Sequence, residues 1–242
     1  MMISVILPAY QEAENLKTIL PKLKTVLEKA GTEFEILVVD TIKPTDNSKK
    51  ICFQCGGGVF YLPRKGGNLY GDAIRTGFAQ AKGEFVVVMD ADGSHNPEDI
   101  IRFYDVMKSN DYNLVIGSRY CKGGYTDNNL ILRFMSWILN LTYRILFQLK
   151  VKDVSDSFRM YRTADLKSLD FECNNFDIVE EILIKLQYSI PNFKIKEIPI
   201  SFHKRAAGES KRDLLKFIRS YLVTMRRLLK IKHKLQKRNS LQ

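Results

Sequence analysis

Apolar residues along the chain alternate between short runs and stretches with helical spacing. Runs at 2–7, 33–39, 58–62, 85–89 and 114–117 read as strands, and the run at 85–89, Phe-Val-Val-Val-Met, reads as one buried on both faces. Between them, 11–30 carries Leu16, Ile19, Leu20, Leu23 and Leu27 on one helical face, and Thr45-Asp46-Asn47 precedes a helix at 48–55. A third helix at 69–81 places Ala73, Gly77 and Ala81 four residues apart, a stripe that predicts close packing on a sheet, and a fourth covers 97–109. Strands alternating with helices predict a parallel, doubly wound α/β sheet with right-handed crossovers.

The second half is less regular. Residues 130–149 are apolar nearly all round, interrupted by Arg133 and Arg144, which predicts a buried core helix, with a helix lying at a membrane interface as the alternative. A strand after Asp153, a helix at 176–188 with Glu180 and Glu181, and a strand at 193–200 follow. Leu214, Ile218, Tyr221, Met225 and Leu228 then repeat at helical spacing among basic residues. The expected organisation is a main domain over 1–210 and a basic amphipathic helix and tail over 211–242.

What gives this pattern a chemistry is where the polar residues interrupt it. Pro8 to Glu12, Asp40, Arg64-Lys65 and Asp90-Ala91-Asp92 all follow strand carboxyl ends, where open α/β sheets bind ligands. Two carboxylates one residue apart raise each other's pKa unless a cation joins them, and magnesium or manganese completed by substrate phosphates suits Asp90 and Asp92. Such a set predicts a nucleotide-diphosphate site. Neither G-x-G-x-x-G nor a P-loop lysine motif occurs, which argues against dinucleotide cofactors and ATPases.

Composition narrows the picture further. The 242 residues are 45% hydrophobic and 27% charged, as in an ordinary globular protein, and neither a run of eighteen apolar residues nor a signal peptide is visible. Four cysteines do not make a disulfide framework, and Cys52-Phe53-Gln54-Cys55 reads as the end of a helix that stops at Gly56. Most of the net charge of +11 sits from Lys211 onward, where eleven Lys or Arg face one Asp. Such a tail favours an anionic membrane surface; it lacks the interleaved aromatics of a nucleic-acid binder.

Ile-Leu-Pro-Ala-Tyr-Gln-Glu-Ala-Glu-Asn-Leu from Ile6, Asp-Ala-Asp-Gly-Ser-His-Asn-Pro-Glu from Asp90, Ile-Gly-Ser-Arg-Tyr from Ile116, Ser-Asp-Ser-Phe-Arg-Met-Tyr from Ser155 and Ile-Pro-Ile-Ser-Phe-His-Lys-Arg-Ala-Ala-Gly-Glu-Ser-Lys from Ile198 together resemble the dolichol-phosphate mannose synthases, inverting members of glycosyltransferase family 2. The resemblance implies the GT-A fold with a C-terminal amphipathic extension, a nucleotide-sugar donor and a polyprenyl phosphate acceptor, with a metal at Asp90 and Asp92 helped by Ser94. It implies Pro8, Tyr10, Glu12 and Asp40 around the nucleoside, and Arg205 and Lys211 on a loop closing over the donor. Arg119, Arg133 and Ser136 would hold the acceptor phosphate, making Asp92, Arg119 and Arg133 the expected catalytic residues. The implied location is peripheral, on the cytoplasmic face of a membrane. Since many relatives carry transmembrane helices after the catalytic domain, a separate membrane partner is a further expectation. One departure leaves the nucleobase open between guanine and uracil: the family's Asp-Asp-Gly-Ser-x-Asp is replaced by Asp40-Thr41-Ile42-Lys43-Pro44-Thr45-Asp46, and the following Gly66-Gly67-Asn68-Leu69-Tyr70-Gly71 also differs. The same residues admit a saccharide acceptor, or nucleotide and membrane binding without turnover.

Overall fold

Alternation along the first strands decides the architecture. The computed structural model describes residues 1–203 and 214–239. In β1 (Met2–Pro8), Ile3, Val5 and Leu7 join one buried cluster while Ile6 joins another, and β2 (Glu33–Asp40) divides the same way, with Ile36 and Val38 against Leu37 and Val39. Both faces of the sheet are therefore covered, which is why these strands read as unbroken apolar runs. The first face takes α1 (Ala13–Lys29), whose Leu16, Ile19, Leu20, Leu23 and Leu27 are all buried. After α2 (Ser48–Cys55) and β3 (Val59–Pro63), α3 (Tyr70–Gln80) crosses the other face. The small-residue stripe acts as expected: a Cβ on Gly77 would sit 2.6 Å from Ile6 Cγ2, so a side chain there would push α3 off the sheet.

β4 (Phe85–Val88) pairs in parallel with β1, and α4 (Asp99–Ser109) returns to the first face. β5 (Leu114–Ser118) follows, then β6 (Tyr125–Thr126), α5 (Leu130–Phe147), β7 (Arg159–Arg162), α6 (Thr163–Lys167), α7 (Ile178–Ser189), β8 (Ile195–Pro199), β9 (Ser201–Phe202) and α8 (Leu214–Asn239). The strand order is β3-β2-β1-β4-β7-β5-β8. The sheet is not wholly parallel, as the alternation alone suggested: β7 runs antiparallel between β4 and β5. The long excursion through α5 brings the chain back from the opposite end. A second sheet of β6 and β9 stands apart and has no counterpart in the sequence-based expectation.

α5 corrects two expectations. It is not a core helix: only Asn140, Tyr143 and Phe147 are buried, while Leu130, Ile131, Leu132, Phe134, Trp137, Ile138 and Ile145 are exposed. Nor is the chain without a segment of spanning length, since Leu130–Phe147 is long and apolar enough to cross a membrane, its two arginines being diluted by the residues around them. Its inner side is tied to protein, with Tyr188 Oη donating to Phe147 O at 2.7 Å and Lys232 Nζ to Leu146 O at 2.8 Å. α8 docks on this layer rather than standing free: Leu228 is fully buried and Thr224 Oγ1 donates to Asp177 Oδ2 at 3.0 Å.

Beneath α8 lies Glu180, 1% exposed, and burial pushes its carboxyl up to about 8. A raised acid favours the folded state while protonated, and that contribution is lost as pH climbs from about 4.5 to 8. Thermal unfolding should therefore show a melting temperature falling over that interval, and Glu180→Gln should flatten the fall. A wild-type midpoint that rises with pH, or an unchanged slope in the variant, would contradict this.

Candidate active site

Elements meet at the carboxyl ends of β1, β2, β3 and β4. Beyond β1, Ala9 N–H donates to Val39 O at 3.0 Å, and Gln11 takes a positive φ of 57° to turn the chain into α1. Arg64, at the end of β3 and 7% exposed, donates from Nη2 to Ala9 O at 2.6 Å and from Nη1 to Asn68 O. This guanidinium ties the Pro8-Ala9-Tyr10 segment to the loop before α3. Tyr10 is 61% exposed, presenting its ring to the open side. Glu12 Oε2 accepts from Asn15 Nδ2 at 2.6 Å.

Asp40 is buried and accepts from Thr41 N–H at 2.7 Å and from Tyr61 Oη at 3.2 Å. Burial raises its pKa, the two hydrogen bonds opposing. The loop that follows is anchored to the two neighbouring helices. Asp46 accepts from Ala13 N–H at 2.9 Å and from Ser48 N–H at 3.0 Å, so one carboxylate closes the starts of α1 and α2. Burial works against this charge, but the backbone donors prevail and lower its pKa. Ile42 N–H donates to Asn68 Oδ1 at 2.9 Å, joining the two unusual loops to each other.

The acid turn follows β4, held by Met89 N–H to Ile6 O at 3.0 Å. Gly93 takes φ 79°, which lets the chain fold back so that Asp92 Oδ1 accepts both Ser94 N–H at 3.0 Å and Ser94 Oγ at 2.6 Å. Ser94 is wholly buried, and this bond places its hydroxyl behind Asp92, orienting that carboxylate. Burial raises the pKa of Asp90; His95 opposes the rise and Asp92 adds to it. Tyr70 Oη reaches Asp90 Oδ1 at 3.5 Å. An acid pair of this kind, Asp92 buried and Asp90 half-buried, fits a divalent cation as its counter-charge. Among the described residues no group of three or more His, Cys, Asp or Glu gathers to hold a metal, so substrate oxygens and water would have to complete the shell.

Sequence reasoning missed the network behind the turn. His95 is 3% exposed; its Nδ1 accepts Asp90 N–H at 3.3 Å and its Nε2 lies 3.3 Å from Asp156 Oδ1. Burial disfavours protonation of His95, yet Asp156 and the acid turn outweigh it and raise its pKa. Asp156 is held down in turn by Arg119 and His95 against its own burial. Arg159, fully buried, fixes this loop by donating to the carbonyls of Asp156, Val179 and Val154 at 2.8, 3.0 and 2.7 Å. The Ser-Asp-Ser-Phe-Arg run was the available signal for Asp156; nothing marked Tyr70.

The three residues expected at the acceptor phosphate are not alike. Arg119 has a side chain only 9% exposed, donating from Nε and Nη2 to both oxygens of Asp153 at 2.8 Å and lying 3.1 Å from Asp156 Oδ2. Its guanidinium is occupied by two carboxylates. Arg133 is exposed in the first turn of α5, and Ser136 half-buried one turn on. Arg205 and Lys211 lie outside the described residues.

Against known proteins, the glycosyl transferase family 2 model matches residues 4–170. The chain belongs to this family. It is 34% identical over 237 residues to a dolichol-phosphate mannosyltransferase of Pyrococcus furiosus, covering 95% of this chain and 64% of that protein, so it spans under two thirds of that relative. It is 31% identical over 223 residues to an undecaprenyl-phosphate mannosyltransferase of Micrococcus luteus, covering 87% of each. These place it in the dolichol-phosphate mannose synthase-like branch. Among solved structures, glucosyl-3-phosphoglycerate synthase of Mycobacterium tuberculosis with Mn2+ and UDP superposes with a TM-score of 0.72 at 18% identity, covering 94% of this chain and 80% of that one. The same enzyme with Mg2+ and UDP gives 0.69 at 17%, covering 94% and 79%. The fold is GT-A.

Proposed function

We propose that the chain is an inverting, metal-dependent transferase that moves mannose from GDP-mannose to a polyprenyl phosphate at the cytoplasmic face of a membrane. One observation carries the reading: an acid pair at the end of a central strand, Asp92 buried and Asp90 half-buried, in the same fold as a long apolar helix that lies open on one side and carries Arg133 in its first turn. The names of the two mannosyltransferase relatives support it. In this reading Pro8, Tyr10, Glu12 and Asp40 line the nucleoside, Arg205 and Lys211 meet the donor, and Arg133 and Ser136 meet the acceptor phosphate. Magnesium or manganese on Asp90 and Asp92 would act as a Lewis acid on the departing diphosphate. A lipid phosphate is ionised near neutral pH, so it attacks the anomeric carbon without a general base, and a single displacement inverts that centre. The residues have only to orient it and balance charge.

A second reading keeps the acceptor and exchanges the donor for a UDP-sugar, and the substituted loop after Asp40 favours keeping it in view. Incubation of the chain with labelled GDP-mannose, UDP-glucose or UDP-N-acetylglucosamine, a short polyprenyl phosphate and magnesium or manganese separates the two. Label should enter lipid from GDP-mannose alone and vanish with chelator; label from a UDP-sugar alone would reassign the donor.

Membrane contact through α5 is a separable part of the proposal. Phe134 and Trp137 stack with ring centroids 6.1 Å apart and are 60% and 55% exposed, as suits an aromatic pair entering the headgroup region. Replacing either by Ser should weaken sedimentation with anionic vesicles about tenfold, the loss of one large buried side chain. Unchanged sedimentation of the double variant would remove α5 from the membrane contact.

A further inference from the structure

The small sheet of β6 and β9 joins parts of the site that the main sheet leaves separate. Tyr125 N–H donates to Ile200 O at 2.9 Å and Asp127 N–H to Phe202 O at 3.0 Å. His203, the next residue, makes two more bonds. Its own N–H donates to Ser94 O at 3.0 Å, inside the acid turn. Its ring nitrogen Nδ1 lies 3.1 Å from Asp127 Oδ2. Asp127 stands two residues before Asn129, whose side chain accepts Leu132 N–H and starts α5. Tyr125 also bonds Asp127 and senses the charge of Arg133. Residues 204–213, with Arg205 and Lys211, follow His203 directly in the chain.

We propose that His203 is a positioning residue that clasps the start of the acceptor helix, through Asp127, to the turn that holds the donor's metal. This rests on the transferase reading above. The attacking phosphate and the anomeric carbon are carried by different elements, α5 on one side and the acid turn on the other. Their separation sets the rate, and a displacement of an ångström is felt. His203 links both through one residue, its backbone to Ser94 and its side chain to Asp127. The carboxylate receives a directed N–H from Nδ1, which makes the role sensitive to side-chain shape and not to charge alone. An asparagine amide nitrogen occupies the place of Nδ1, whereas a glutamine amide nitrogen occupies that of Nε2. His203→Asn therefore keeps the clasp, and His203→Gln and His203→Ala open it. With the two side chains 55% and 29% exposed, the pair is a modest one, and the expected effect is about fivefold.

The test uses the full chain and two readouts. Amide exchange followed by NMR should show Tyr125 and Asp127 exchanging about fivefold faster in His203→Ala and His203→Gln, with His203→Asn like wild type. Initial rates should show KM for a short polyprenyl phosphate raised by the same factor in the first two variants, KM for the nucleotide-sugar unmoved, and both restored by Asn. Asn and Gln behaving alike, or donor KM rising with acceptor KM, would overturn the proposal. Faster exchange with acceptor KM unmoved would leave a structural clasp and overturn the positioning role. A wild-type chain that glycosylates no polyprenyl phosphate would instead remove the transferase reading, and the acceptor role with it, while the exchange arm still reports whether the clasp exists.

Discussion

Asp92→Asn is expected to cut sugar transfer by about a thousandfold, the scale of losing one preorganised charge at a developing anion. The substitution keeps the shape of a side chain that is 5% exposed and already held by two bonds from Ser94. What it removes is the negative charge. Asp90 alone, its pKa raised by burial, would then face the cation, and metal affinity should fall with activity. Rates measured across a magnesium series, beside a melting curve, separate this from unfolding: the midpoint should move by only a few degrees. Activity above a tenth of wild type at saturating magnesium would remove Asp92 from the metal.

Arg119→Ala is expected to fail differently, by loss of stability. The sequence-based expectation put Arg119 on the acceptor phosphate, where its removal would raise acceptor KM in a folded chain. The structure places its guanidinium between Asp153 and Asp156, which are 0% and 2% exposed. Taking away the cation leaves buried Asp153 without its counter-charge and Asp156 with His95 alone, a cost of about 3–5 kcal/mol. At this chain length that lowers the melting temperature by roughly 10 °C. Asp156 also touches His95, and His95 accepts Asp90 N–H, so the acid turn should loosen as well. A variant that melts with wild type and is altered only in acceptor KM would restore the phosphate role.

Much of the first half of the chain was legible because its rules are local. A run such as Phe85 to Val88 has one reading once both faces are covered, and the acids that follow it are placed by the strand's end. The Ala73–Gly77 stripe named its own packing partner. The second half was less legible for physical reasons. β7 reads Arg-Met-Tyr-Arg, without an apolar run, and its direction depends on a return path through α5 that no short window contains. A helix apolar all round looks the same whether its partner is protein or lipid, so α5 read as core until its exposed face was seen. Arg119 was expected at the acceptor phosphate, and its carboxylate partners lie 34 and 37 positions along the chain, which spacing cannot reveal.

The central claim is that a lipid phosphate oxygen is the nucleophile. The most direct measurement compares transfer of labelled mannose from GDP-mannose to a short polyprenyl phosphate and to the matching polyprenol, with magnesium, in the same vesicles. Label in the phosphate-bearing lipid and none in the alcohol is the result predicted, because an alcohol would need a base to lose its proton. Equal labelling of the alcohol, or label passing to a saccharide and to neither lipid, would contradict it.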